Sequence, residues 1–203
     1  MTRGAIAWAG AAALLCLFAL LGWPVSREWL DWQPQLAFTQ PWRALTAVAV
    51  HYSPMHLTGN LAGAVLTAAF GIAARVPMRA AWAWLAAWPL THFALLIAPG
   101  LAPGLTPGLT HYGGLSGVLH AGVAIVIVFL LAQGSRAQRV VASLVLIGFC
   151  VKIIGEAPWG PAVRHPAGWD IPIAPIAHAT GAVAGAACAM VALLWVRRPW
   201  SHH

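Results

Sequence analysis

Apolar runs of about twenty residues alternate with short polar or Pro/Gly-rich breaks along nearly the whole chain. A helix rises about 1.5 Å per residue, so about 20 mostly apolar residues cross the hydrocarbon core of a bilayer. The pattern predicts six such helices, at about 5–24, 54–74, 79–98, 114–132, 139–155 and 174–196. The run Ala5–Trp23 has some look of a signal peptide. Its apolar length and the want of a clear cleavage site before Pro24 favour a span instead. The breaks are informative too. Residues 25–53 hold Trp29, Trp32 and Trp42 beside Arg27, Glu28, Asp31 and Arg43, a mixture suited to the headgroup level. Pro99–Gly114 repeats Pro-Gly-Leu three times and predicts a turn-rich loop, and 156–173 is a second Pro/Gly/Trp-rich connector. The expected fold class is an all-α membrane protein, with residues 1–203 as a single membrane domain.

Composition sharpens this picture. Of 203 residues, 61% are hydrophobic and 7% charged, against roughly a quarter charged in a soluble domain, so a water-facing surface could not be covered. The net charge of +7 does not form a basic face or tail, and nucleic acid is not an expected partner. Sorted by loop, the charges orient the chain. With the N-terminus inside, the inner segments carry Arg3, Arg75, Arg79, Arg136, Arg139, Arg197 and Arg198 and no acid. The outer segments carry Arg27, Arg43, Lys152 and Arg164 together with all the acids, Glu28, Asp31, Glu156 and Asp170. That asymmetry predicts an N-in, C-in topology. Cys16, Cys150 and Cys188 lie in apolar runs without metal or redox spacing.

Polar groups inside spans are expensive and are functional candidates for that reason. His56 and Asn60 are spaced i, i+4 in the second span, with His51 just before it. Ser116 opens the fourth span within Gly113-Gly114-Leu115-Ser116-Gly117, and His178 lies early in the sixth, followed by Gly181 and Gly185. Under the predicted topology His56, Ser116 and His178 share one depth, in the outer half of their helices. A serine hydroxyl needs an adjacent base, most often histidine, to become a nucleophile. Gly181 and Gly185 form a small-xxx-small face that would draw the sixth span against a neighbour and bring His178 to Ser116. His56 and Asn60 share a helical face and can both donate, as an oxyanion hole requires. These parts imply acyl transfer.

The set Trp42-Arg43, His51-x4-His56-x3-Asn60, Gly114-x-Ser116-Gly117 and His178-x2-Gly181-x3-Gly185 resembles the rhomboid intramembrane serine proteases, in the family's order and over nearly the whole chain. The resemblance implies a six-transmembrane-helix rhomboid-like bundle and a Ser–His dyad without an acid: Ser116 as nucleophile, His178 as general base, and His56, Asn60 and the Ser116 amide around the oxyanion. It implies that His51, Trp42 and Arg43 shape the first outer loop, with Gly114, Gly117, Gly181 and Gly185 in support, and that no cofactor is needed. Gly114-Leu115-Ser116-Gly117-Val118-Leu119-His120, Asn60-Leu61-Ala62-Gly63 and Lys152 followed by Glu156 are most similar to the rhombosortase branch. That likeness implies a bacterial inner-membrane location, a site opening to the periplasmic side, and a membrane-anchored substrate with a Gly-Gly motif, a C-terminal apolar helix and a basic tail. The tail would be cut, with transfer of the product to a lipid-like amine as the alternative to hydrolysis.

Other readings compete. His51 and His56 are five apart with no Glu between them, unlike the zinc helix H-E-x-x-H, and His92, His111 and His165 lack partners at ligand spacing, so no metal site is expected. His120, one turn after Ser116, is read as a satisfied or packing histidine, with a role in the cavity as the alternative, and Gly59 and Gly63 are read as helix contacts. Asp170, eight residues before His178, is an awkward third member of a triad, and the low count of acids leaves none expected within reach of the histidine. The alternatives are a conventional rhomboid protease of single-span membrane proteins, an inactive rhomboid-like protein that binds membrane clients, and a transporter or metal-binding membrane protein. His202 and His203 are assigned no role.

Overall fold

The computed structural model describes residues 1–97 and 109–195. The Pro-Gly-Leu repeat from Pro99 to Gly108, the final residue of the predicted sixth span, Arg197, Arg198, His202 and His203 lie outside the described residues. The described chain is helical without strands; its only extended pairings are the isolated bridges Trp32–Tyr112 and Arg164–Ile173. Eight helices follow in order: α1 (Arg3–Gly22), α2 (Arg27–Leu30), α3 (Arg43–Thr46), α4 (Pro54–Ala73), α5 (Met78–Phe93), α6 (Ser116–Gln133), α7 (Arg136–Gly155) and α8 (Pro175–Trp195). The six long ones fall on the six predicted runs, with ends displaced by a few residues. Five are long and apolar enough to cross a membrane; α5 has 16 residues and falls short of the length those five share. It carries Pro89, which donates no hydrogen bond, and gives way to a 3-10 turn at Ala94–Leu96.

Helix starts are written in the sequence. Thr2 caps α1 by accepting from the Ala5 amide, and Ser53 caps α4 by accepting from the His56 amide at 3.0 Å, with Pro54 at the first helical position. Ser135 and Gln138 form a capping box at the start of α7.

Packing places α6 at the centre. It is the most buried of the spans, whereas α7 is almost entirely exposed on its sides, the surface expected of a helix facing lipid. Trp8 of α1 stacks on Trp84 of α5 with ring centroids 4.4 Å apart. Each indole N–H reaches a backbone carbonyl, Thr67 of α4 for Trp8 (3.1 Å) and Val118 of α6 for Trp84 (2.8 Å), so two aromatic pairs of atoms tie four helices together. The α6–α8 contact is glycine-mediated, as predicted. A Cβ on Gly181 would overlap the carbonyl of Gly117, and one on Gly185 would overlap that of Ala121, which leaves the backbones in direct contact.

The segment 25–53 departs in one respect from expectation. Trp29 and Trp42 are exposed, as headgroup residues would be, but Trp32 is fully buried. Its backbone pairs with Tyr112 (2.7 and 2.8 Å) and its ring meets Phe93 edge-on, making it the centre of a second small core beneath the loops. The free thiols Cys16 and Cys188 are half-buried and Cys150 is exposed.

Candidate active site

Ser116 is the first residue of α6, delivered by Gly114, whose φ of +125° is a backbone conformation that side-chain-bearing residues rarely adopt. The Gly114 amide donates to Ala47 (2.9 Å), pinning this turn to the segment that precedes α4. The close approach of α8 to Gly117 then brings His178 onto Ser116: the hydroxyl lies 3.0 Å from His178 Nε2, hydrogen-bond distance for proton transfer.

His56 and Asn60 flank the same turn. A Cβ on Gly114 would sit 2.7 Å from His56 Nε2 and 3.4 Å from Asn60 Nδ2, so both groups face the backbone just ahead of the nucleophile. The amide of Tyr52 donates to His56 Nδ1 (3.3 Å). The neutral ring therefore carries its proton on Nε2, the atom turned toward Gly114. Asn60 Nδ2 is buried and has no protein partner. A buried donor left without a partner among the described residues is costly unless an acceptor arrives there.

The expectation that no acid reaches the histidine does not hold. Glu156, just past the C-terminal end of α7, places Oε2 2.6 Å from His178 Nδ1, while its Oε1 accepts from Lys152 Nζ at 2.7 Å. Arg164 donates to the Glu156 carbonyl (2.8 Å). The sequence showed Lys152 and Glu156 as an i, i+4 pair but could not show that α7 ends beside the start of α8. Burial alone would raise the Glu156 carboxyl, but hydrogen bonds from His178 and Lys152 and their charges outweigh it and bring it to about 2. With an ordinary value of 4.5, the stabilisation this carboxylate contributes is complete above that pH and is lost as pH falls toward 2. Asp170, the acid weighed at the sequence level, instead accepts from Ser53 Oγ (2.8 Å).

The remaining histidines sort clearly. His51 is buried with both ring nitrogens unpartnered by protein, 4.8 Å from the His56 ring, and burial lowers it to about 4, so it is neutral at physiological pH. His120 stacks on His178 with centroids 4.2 Å apart and donates from Nδ1 to the Ser116 carbonyl (2.6 Å), a satisfied histidine packed against the His178 ring. His92 is fully buried and donates to the Ala44 carbonyl (2.6 Å), fastening α5 to α3. Among the described residues no three His, Cys, Asp or Glu side chains converge as a metal-ligand set.

The supporting pair divides. Trp42 is exposed, but Arg43 is buried and donates to Gln40 (2.6 Å) and to the backbone and carboxylate of Asp31 (2.9 and 3.0 Å). The other Asp31 oxygen receives His111 Nδ1 at 2.6 Å. Arg43 thus ties the segment 25–53 to the loop that leads into Ser116, and Asp31 and His111 are members of this anchor that sequence reasoning did not single out.

Two cavities meet at Ser116 and His178. One, of about 260 Å³, opens among the loops past Tyr52, His111 and Pro172. The other, of about 530 Å³, opens between α4 and α7, with Gly59, Gly63 and Leu66 on one side and Phe149 and Lys152 on the other.

Helical layout and site geometry together describe a multi-pass membrane protein with a serine–histidine pair at the junction of an opening among the loops and an opening between two helices. The sequence model of the Rhomboid domain matches residues 39–195, well over half of the chain. The chain belongs to the rhomboid family, a family of intramembrane proteases. No curated protein matches it at a significant level of similarity.

Proposed function

We propose that this protein is an intramembrane serine endopeptidase in which Ser116 is the nucleophile and His178 the general base. The observation that carries the reading is the 3.0 Å contact between Ser116 Oγ and His178 Nε2, with the buried Asn60 donor, unpartnered among the described residues, beside it. Ser116 Oγ would attack a substrate carbonyl as its proton passes to His178 Nε2, and that proton would return to the leaving amine. The developing oxyanion would lie against His56 Nε2–H, Asn60 Nδ2 and the Ser116 amide. Water for deacylation would come through the loop-side cavity, and the substrate through the gap between α4 and α7. That gap is walled by glycines and by the most lipid-exposed helix. Six crossings with both termini inside put this site toward the outer face, the periplasmic side in a bacterial inner membrane. The whole of residues 1–203 forms one membrane domain in this reading.

The preferred substrate is a membrane-anchored exported protein whose C-terminal apolar helix follows a Gly-Gly motif. Glycines would suit the crowded approach to Ser116, and a broken helix exposes a peptide bond that an intact one hides. The test incubates the purified protein in proteoliposomes with a Gly-Gly-tailed membrane substrate and, separately, with a conventional single-span substrate, and reads both products by mass spectrometry. Cleavage at the Gly-Gly motif supports the preferred substrate, and an added amine mass on the product would mark transfer. Cleavage of the conventional substrate alone refutes the sorting role, and cleavage of neither refutes the protease reading.

Asn60→Ala should lower kcat by roughly 100-fold with little change in KM, because an oxyanion donor acts mainly in the transition state. Steady-state kinetics on a cleaved substrate checks this; a rise in KM at constant kcat would assign Asn60 to substrate binding instead.

A further inference from the structure

We propose that Glu156 is a positioning residue that sets the tautomer of His178 and makes the catalytic group a Glu–His–Ser relay. This rests on the reading of Ser116 and His178 given above.

The argument begins with what His178 Nδ1 can do. Two groups lie near it, the Glu156 carboxylate at 2.6 Å and the Lys152 ammonium at 3.3 Å. They demand opposite tautomers: a carboxylate only accepts, so Nδ1 must carry the proton, whereas an ammonium only donates, so Nδ1 must be bare. In the second case the neutral ring would hold its proton on Nε2 and could not accept from Ser116. The shorter contact goes to the carboxylate, and Lys152 has a better acceptor in Glu156 Oε1 at 2.7 Å. Nδ1–H therefore points at Glu156, and the Nε2 lone pair faces the Ser116 hydroxyl at 3.0 Å.

Glu156 is held at three points, two on its carboxylate and one on its backbone. Oε1 is occupied by Lys152, Oε2 by His178, and the backbone carbonyl by Arg164. The ring is fixed on its flat side by His120, stacked at an interplanar angle of 12°. The charged or titratable groups around His178 are thus Glu156 and Lys152 from α7, His120 from α6, and His56 from α4 across Ser116. Among the described residues Glu156 is the only anion in direct contact with it. When the Ser116 proton moves to Nε2, the imidazolium gains its charge beside a carboxylate that is already ordered. The Nδ1 proton stays on the ring, and Glu156 takes up no proton.

The test uses the full chain in detergent with a biotinylated fluorophosphonate, which reports serine nucleophilicity without a known substrate, and 15N NMR of histidine-labelled protein, which reports the tautomer. Wild type should show His178 protonated on Nδ1, assigned by the signal lost in His178→Ala. Glu156→Gln should label at least about 100-fold more slowly. Glu156→Ala should be slower still and regain at least tenfold on addition of formate, a small carboxylate that fits the vacated space. Ser116→Ala should not label with or without formate. An Nε2–H tautomer in wild type overturns the proposal even if no variant folds. Labelling of Glu156→Gln at the wild-type rate also overturns it, as does slow labelling without formate rescue in protein that melts like wild type. If Ser116→Ala still labels, the nucleophile assignment falls; if only Glu156→Gln is unaffected, the dyad stands and the role of Glu156 alone falls.

Discussion

Ser116→Ala is expected to abolish peptide-bond cleavage while leaving the helical bundle assembled. The hydroxyl is the only group at the α6 terminus that His178 Nε2 contacts, and alanine keeps the backbone that seats Gly114 and Gly117. Removing the nucleophile of a serine hydrolase costs about 10^6-fold in kcat in the best-studied case. Since background hydrolysis in a membrane is negligible, product should fall below detection. The fold should hardly notice, because Ser116 Oγ makes one side-chain hydrogen bond, and the loss of one such bond is about 1 kcal/mol. Cleavage in proteoliposomes and thermal unfolding in detergent, run on the same preparation, separate the two effects. Cleavage at more than about a thousandth of the wild-type rate would sink the nucleophile assignment.

The second large effect is expected from Gly181→Leu, which touches no reacting atom. Gly181 packs its Cα against the Gly117 carbonyl, and any Cβ there would collide with backbone. A flexible side chain could yield, but a carbonyl in the first turn of the most buried helix cannot. The helix α8 must move outward, which costs at least about 3 kcal/mol of packing and carries His178 away from Ser116. Fluorophosphonate labelling should be lost together with a lower melting temperature, unlike Ser116→Ala, which should lose labelling alone. Gly148→Leu is the control. It lies on lipid-facing α7 with nothing within 4 Å of its Cβ position, and should leave both readouts near wild type. Wild-type labelling in Gly181→Leu would show that the α6–α8 contact does not set the catalytic distance.

These two substitutions mark the two kinds of information in the chain. Ser116 was legible as a candidate because a hydroxyl among glycines at the start of an apolar run is chemically conspicuous. Gly181 and Gly185 were legible as a packing face because helical periodicity puts residues four apart on one side. Their partners, Gly117 and Ala121, could only be found once α6 and α8 were seen side by side. Trp32 shows the reverse failure. Its composition resembled that of Trp29 and Trp42, yet it is buried, because its backbone pairs with Tyr112 eighty residues away and no local pattern records such a pairing.

Glu156 is the sharpest case. Read along the chain, it was half of an exposed i, i+4 pair with Lys152, twenty-two residues from His178 and separated from it by a proline-rich connector. Asp170 was nearer in sequence and was weighed instead. The connector folds back through the Arg164–Ile173 bridge, so the end of α7 and the start of α8 meet, and the nearer acid turns to Ser53.

By itself the sequence determined that the chain lives in a bilayer, where its long helices lie, and which few polar groups are candidates for chemistry. These follow from local physics: hydropathy over a helix length, capping residues, and the cost of a polar atom in hydrocarbon. Tertiary structure alone decided that the buried donors of His56 and Asn60 converge beside Gly114, and that a carboxylate stands behind His178. Such contacts depend on how close two helices can approach, and here that distance is set by glycines whose missing side chains act only when another backbone arrives.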